Sequence, residues 1–418
     1  MRISKPLLCA FNYGFVINAA FLLLTSIRSV ASFAFFHTTG RRRASSSTAW
    51  ALLKDNNINT DTEIAARPWI HSGLLFSSFT EGLLPNQQAH AILKRGIVRA
   101  MLVQYQRQLE QGIKESVLHS PCAGPDINKL DRLQVIDHAL QQLDSGAVQY
   151  NQINSLSFLP PGTHSVRIVY IPTAMYALRP ESTNSPGKQR QRARADAKSR
   201  RDEIVKFLRE KIFTIPEDDQ TTGNIAVDLA IVTLDFDDGS IKHPQTDTTQ
   251  VSACNSWETV NDFPKIGKEA LRRWSPHLVY VQGGNTFWLY HCLVSNDWQK
   301  DFVDTLTSET CLYCGSSAGA ILVGAHMQTA CWKGWDDPRV VPDRPTYEDW
   351  AEVSGLGLVG AASFFPHMEQ LWEALVEEKK LQGIVALREE DVMYVDGTSK
   401  TTAIQLADSV SVNCNHLD

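Results

Sequence analysis

Residues 313–322 read YCGSSAGAIL, which sets Gly315, Ser316, Ser317, Ala318 and Gly319 in a Gly-x-Ser-x-Gly frame between two apolar runs. A serine among small residues on a tight strand-to-helix turn can hold its hydroxyl above a sheet. The N–H of the residue after it, here Ala318, is then placed to stabilise an oxyanion. The helix behind the turn directs its positive end at the same spot. Ser316 competes for the role, but only Ser317 holds the centre of the frame. By itself the frame fits a nucleophile and a small-residue corner equally, so its neighbours must decide. A serine hydroxyl needs a base, and the base needs a group to orient it.

Downstream of Ser317 the chain offers His326, His367 and His416. The spacing predicts that His326 falls within the helix after the turn and points away from it. His367 lies in GAASFFPHMEQLW, where Pro366 ends an apolar run and leaves the imidazole on a loop. Further on, EEDVMYVDGTSKTTAIQ reads as strand, Asp396-Gly397 turn, strand. An acid at a strand end can accept the imidazole N–H and fix its tautomer, although Asp-Gly is also the commonest hairpin turn pair. Upstream, VYVQGGNTFWL places Gly283 and Gly284 where the backbone can bend, with Asn285 and Thr286 as helix caps.

These residues need a scaffold that brings loops together, and the alternation of patterns along the chain supplies one. WIHSGLLFSSF reads as a first strand, followed by Leu93, Ile97, Met101, Tyr105, Leu109 and Ile113 at four-residue spacing on one helix face. LDRLQVIDHALQQLD predicts a second helix. SVRIVYIPTAM, NIAVDLAIVTLDF, HLVYVQGG and CLYCG follow as buried-type strands, separated by helical segments. The expectation is α/β: a three-layer αβα arrangement around a mostly parallel sheet, with an N-terminal helical extension. In such a sheet, functional groups gather where loops leave the C-terminal ends of strands.

Composition narrows the partners. With a formal charge of -6 and a pI near 6.1, the chain has no global pull toward nucleic acid or an anionic membrane. Seven basic residues between Lys188 and Arg201 form a local run, but no aromatics interleave and acids interrupt it, so a solvated helix face is expected. Asp235, Asp237 and Asp238 cluster without the later Glu of a calcium loop, which favours a plain turn over a metal site. Cys311 and Cys314 form a lone C-x-x-C in an apolar run, expected to be buried strand thiols. The expected chemistry needs no metal and no cofactor.

Taken in order, YVQGGNTFWL, GSSAGA, WKGWDDP, FFPH and YVDGTS resemble the peptidase E and cyanophycinase family of serine peptidases, over roughly the last 250 residues. The resemblance implies a class I glutamine amidotransferase-like fold. It implies Ser317 as nucleophile, His367 as base and Asp396 as third member, with oxyanion N–H groups from Gly284 and Ala318. Asn285 and Thr286 are candidate substrate contacts. The implied activity is hydrolysis of short peptides, in the best-known members dipeptides beginning with aspartate, or the aspartyl polymer carrying arginine. This chain departs from the family in having Asp where Glu is frequent and Ser316 where an aromatic is frequent. It also lacks the arginine-bearing segment behind the histidine, although Arg339 or Arg344 of the intervening loop could receive a carboxylate. Two rivals remain. One is an α/β-hydrolase using His416, and the other a non-catalytic binding protein on the same fold.

The first 54 residues carry seven Lys or Arg and no acid. Residues 1–34 read as a signal peptide, with a membrane anchor as the rival, and 35–64 as a transit-like or basic linker segment. Residues 65–418 then form a single α/β domain, best supported over 165–412, with 181–203 as a basic insertion. A secretory signal is expected in either case, leading to a complex plastid if the second segment is a transit peptide and to secretion or an endomembrane lumen otherwise. No stable membrane anchor is expected after signal removal. A small peptide is the expected partner, and the oligomeric state is left open.

Overall fold

The computed structural model describes residues 68–119, 127–145, 165–213, 227–242, 263–379, 381–405 and 412–413. The signal and transit-like segments and His416 lie outside these residues.

Buried, β-branched and aromatic runs form the strands, and among the described residues they build one nine-stranded sheet. In chain order the strands are β1 (Ser72–Phe76), β2 (Ser165–Ile171), β3 (Asp228–Leu234), β4 (Ile241–Lys242), β5 (Leu278–Val281), β6 (Leu312–Ser316), β10 (Val392–Asp396), β11 (Thr401–Gln405) and β12 (Val412–Asn413). The sheet order is β12-β11-β10-β1-β6-β5-β2-β3-β4. Strands β1, β6, β5, β2 and β3 are mutually parallel. Strand β4 at one edge and β10 to β12 at the other run antiparallel to their neighbours. A further strand, β7 (Leu358–Ala361), precedes a small second sheet in which β8 (Ser363–Phe365) pairs in parallel with β9 (Ile384–Ala386).

The central strands are apolar on both faces, as parallel strands covered on both sides must be. Successive residues divide between two cores: Leu74 and Phe76 face one, and Leu75 faces the other. Leu278 and Tyr280 likewise part from Val279 and Val281. The first core is closed by helices α1 (Gln87–His119), α2 (Ile127–Asp144) and α3 (Pro186–Phe207). The second is closed by α4 (Gly267–Arg272), α5 (Thr286–Ser295), α6 (Gln299–Leu306) and α7 (Ala318–Val323). The short α8 (Glu373–Lys379) carries no buried residue. Cys311 and Cys314 are free, buried thiols, and burial pushes Cys311 up to about 12.

The N-terminal helical segment packs against the sheet. Strand β1 is the parallel neighbour of β6 in the middle of the sheet, and α1 packs against β6. A methyl group added at Gly96 of α1 would come 3.0 Å from the Leu312 side chain. The four-residue repeat through Leu93, Ile97, Met101 and Leu109 is the buried face that seats it. The turn that carries Ser317 is therefore held between segments more than two hundred residues apart in sequence.

Candidate active site

Strand β6 ends at Ser316, and the chain turns at Ser317 with φ 47 and ψ -103 before entering α7. A left-handed backbone costs a serine about 1–2 kcal/mol, so the surrounding contacts must impose it. The Ser317 N–H donates to Phe76 O of β1 at 2.8 Å, and Gly319 brings α7 back onto β5. A methyl group at Gly319 would lie 2.8 Å from Val281 O. Small residues are needed here because α7 and the sheet touch through backbone. Ser316, only 3% exposed, turns inward and its hydroxyl donates to Ser77 O at 3.4 Å.

His367 also has a left-handed backbone, at φ 57. Its Nε2 lies 2.9 Å from Ser317 Oγ, and its Nδ1 lies 2.5 Å from Glu389 Oε1. Hydroxyl, imidazole and carboxylate thus form one hydrogen-bonded line. The small sheet explains how. Phe365 of β8 stands opposite Ala386 of β9 in parallel register, so the two chains leave on the same side, one to His367 and the other to Glu389. Ser77, just past β1, locks the arrangement: its hydroxyl accepts from His367 N–H at 2.8 Å and donates to Leu387 O at 2.9 Å.

The carboxylate on His367 is Glu389, and Asp396 is a correction to the sequence reading. Strand β10 runs antiparallel to β1, with Val392 opposite Phe76 and Asp396 opposite Ser72. Ser317 follows the end of β6 that pairs with Phe76. Asp396 is therefore displaced by four strand residues, roughly 13 Å, toward the other end of the sheet. There it accepts from the N–H and hydroxyl of Thr398, at 2.9 and 2.6 Å, in the hairpin turn. Those bonds hold its carboxyl below the usual range against the opposing effect of burial. Sequence reasoning missed Glu389 and Ser77. Glu389 sits in REED, three consecutive acids without a periodicity to single one out, while the polar pair Ser77-Ser78 at a strand end was a usable signal.

The remaining candidates are distributed as follows. Gly283 stands against Ser317, since a methyl group on it would lie 3.0 Å from Ser317 Cβ. Gly284, at φ 147, is pressed against the Ala174–Met175 backbone, where a methyl group would come within 2.6 Å of Ala174 O. Ala318 opens α7, where a first-turn N–H has no intrahelical acceptor. Asn285 caps α5, its Oδ1 accepting from Trp288 N–H at 2.9 Å and its Nδ2 donating to Asp337 O at 3.0 Å. Thr286 N–H donates to Asp336 at 2.9 Å. Asn285 and the Thr286 amide thus dock a loop on α5. Asp336 is raised to about 6, chiefly by burial.

That loop divides its aromatic residues. Trp350 is buried against Phe287, Trp332 packs on Phe365, and Trp335 stays 58% exposed with its ring 5.7 Å from that of His367. Arg339, expected as a carboxylate receptor, is paired with Asp337 at 2.9 Å and Glu181 at 2.8 Å. Arg344 lies over the Trp350 ring. His326 lies past the end of α7, bridging to Ser354, because α7 stops at Val323 and is shorter than expected.

An α/β sheet with a hydroxyl, an imidazole and a carboxylate in line above its parallel strands has the equipment of a serine hydrolase. Comparison narrows the class. Residues 258–403, which include Ser317, His367 and Glu389, match the model of peptidase family S51. Among solved structures the chain is similar to a putative peptidase E protein from Listeria monocytogenes EGD-e, at 17% identity over 58% of this chain and 86% of that one, with a TM-score of 0.32. No curated protein matches.

Proposed function

We propose that the protein hydrolyses short peptides through an acyl-enzyme on Ser317, with His367 as general base and Glu389 as the group that orients it. The observation carrying this reading is the unbroken line from Ser317 Oγ to His367 Nε2 at 2.9 Å and from His367 Nδ1 to Glu389 at 2.5 Å. Ser317 Oγ attacks the scissile carbonyl carbon as its proton passes to His367 Nε2. Glu389 accepts the Nδ1–H and stabilises the imidazolium. The oxyanion is received by the Ala318 N–H and an amide of the Gly283–Gly284 turn. The C–N bond then breaks, and the amine leaves with the proton from His367. Water, deprotonated by His367, attacks the ester, and Ser317 recovers its proton as the acid product departs.

The family resemblance makes dipeptides with N-terminal aspartate the first substrates to try. The nearby side chains give a reason to look wider. Arg339 is paired with two acids and Lys333 with backbone carbonyls, while Asp336 adds negative charge near His367. The test is reaction with a serine-directed phosphonate, followed by a screen of short peptides with N-terminal Asp, β-linked Asp and neutral residues. Covalent labelling and turnover should both disappear in Ser317→Ala. Labelling that persists in Ser317→Ala would overturn the proposal, and a folded protein that labels with nothing and cleaves nothing would favour a binding protein on this fold.

A further inference from the structure

Besides the Ser77 hydroxyl, a second group contacts the left-handed His367 segment. The Nζ of Lys333 donates to Pro366 O at 2.8 Å and also contacts His367 O. The same ammonium faces three aromatic rings, with centroids at 4.4 Å for Trp335, 4.5 Å for Phe365 and 5.4 Å for Trp372. A cation half-withdrawn from water is strongly attracted to aromatic faces and to carbonyl oxygens. Met368 N–H, donating to Leu387 O at 2.8 Å, completes the clamp on the far side.

We propose that Lys333 is a positioning residue for the Ser317 reaction: its caged ammonium ties down the Pro366 and His367 carbonyls and so keeps the His367 ring on Ser317. The inference rests on the proposed hydrolase mechanism. It makes Trp335 and Trp372 part of the device, because they hold the cation that holds the histidine. An imidazole displaced by even about 1 Å from its nucleophile can lose on the order of a hundredfold in rate.

The cage also makes the clamp responsive to pH. Burial lowers Lys333 to about 8, opposed by the carboxylates of Glu369 and Glu389 that face it. Below that pH the ammonium is present and the clamp is closed. Above it the neutral amine keeps N–H donors but loses the charge that the rings and carbonyls attract, so the rate should fall on the alkaline side.

The experiment measures the rate of phosphonate labelling of Ser317 across pH in the full chain, for wild type, Lys333→Met and Lys333→Arg. Wild type should show an alkaline fall centred near pH 8. Lys333→Met should label about tenfold or more slowly at neutral pH, without that fall, while its melting temperature stays within about 3 °C. Lys333→Arg should recover much of the rate and hold it above pH 8, because a guanidinium does not titrate there. Wild-type labelling rates and an unchanged alkaline fall in Lys333→Met overturn the proposal. If Lys333→Met does not fold, Lys333→Arg decides: an alkaline fall identical to that of wild type overturns it. Labelling that survives Ser317→Ala instead strikes the hydrolase mechanism itself, which separates the two failures.

Discussion

Two parallel strands of the same sheet end in turns that the sequence marks as unusual, and the structure uses them in opposite ways. After β3 the chain runs through Asp235, Asp237 and Asp238, and its positive φ falls on Gly239 at 68. Arg190 and Arg194 of α3 pair with Asp237 and Asp238 at 2.8 and 3.6 Å. The inner Asp235 accepts from the Thr173 hydroxyl and the Asp237 N–H. Every acid there has a partner, and the turn needs no strain because glycine takes the left-handed position. After β6 the left-handed position belongs to Ser317, and the histidine that bonds to it is left-handed as well.

A cluster of charge is thus a poor guide to chemistry, since a basic helix and an acidic turn can simply neutralise each other. Backbone strain on a polar side chain says more, because other contacts must support it. It is not sufficient: Asp297 and Lys400 are also left-handed but occupy exposed turns. What sets the β6 turn apart is strain combined with a line of hydrogen bonds across three loops.

The sharpest test of that contrast sets one carboxylate against another. Glu389→Gln should lower the rate of Ser317 labelling by about a hundredfold or more, because the imidazolium loses its counter-charge and the ring its preferred tautomer. Asp396→Asn should leave the rate within about twofold, since its bonds are confined to its own turn. Labelling kinetics of the two variants side by side would reverse the assignment if the effects were exchanged.

Ser77→Ala comes next. It leaves the His367 N–H and the Leu387 carbonyl without their shared partner, so unfolding in denaturant should show a loss of about 1–3 kcal/mol and labelling should slow. Asp336→Asn should have a smaller effect, read out on stability. Burial raises Asp336 to about 6 from 3.8, so the folded state holds this proton more tightly than the unfolded chain does. Its contribution therefore falls as pH rises from 3.8 to about 6 and stays low above that. The Asn variant can still accept from Thr286 N–H. It should be more stable than wild type at neutral pH, and the advantage should shrink on acidification through that window, as followed by melting temperature. Arg190→Ala should do least: its pair with Asp237 is partly exposed, and its loss should cost under about 1 kcal/mol and leave labelling unchanged. A large rate effect there would show that the two strand ends are coupled.

Much of this architecture was legible in the residues. The buried runs of β2, β3, β5 and β6, the seated face of α1 and the hairpin of β10 and β11 all follow from side-chain periodicity, which is a local property. The Ser317 turn is local too, because small residues must surround a serine on a tight turn. His367 could be placed on a loop because Pro366 ends the strand before it. The basic run and the acidic turn were each readable as ordinary surface, but their pairing across α3 and β3 was not.

What sequence alone determined, then, is the main strands and helices and the placing of two polar groups, Ser317 and His367, at the turns between them. Tertiary structure decided which acid joins them. A strand pattern has the same period in either direction, so VMYVD identifies β10 without revealing that it runs antiparallel to β1 and carries Asp396 to the wrong end of the sheet. The parallel register of β8 and β9 carries Glu389 to the right one, and β1, from the far end of the chain, supplies the serine that holds the histidine loop in place. Strand direction and register are set by contacts between segments distant in sequence, and the third member of the line is chosen by them.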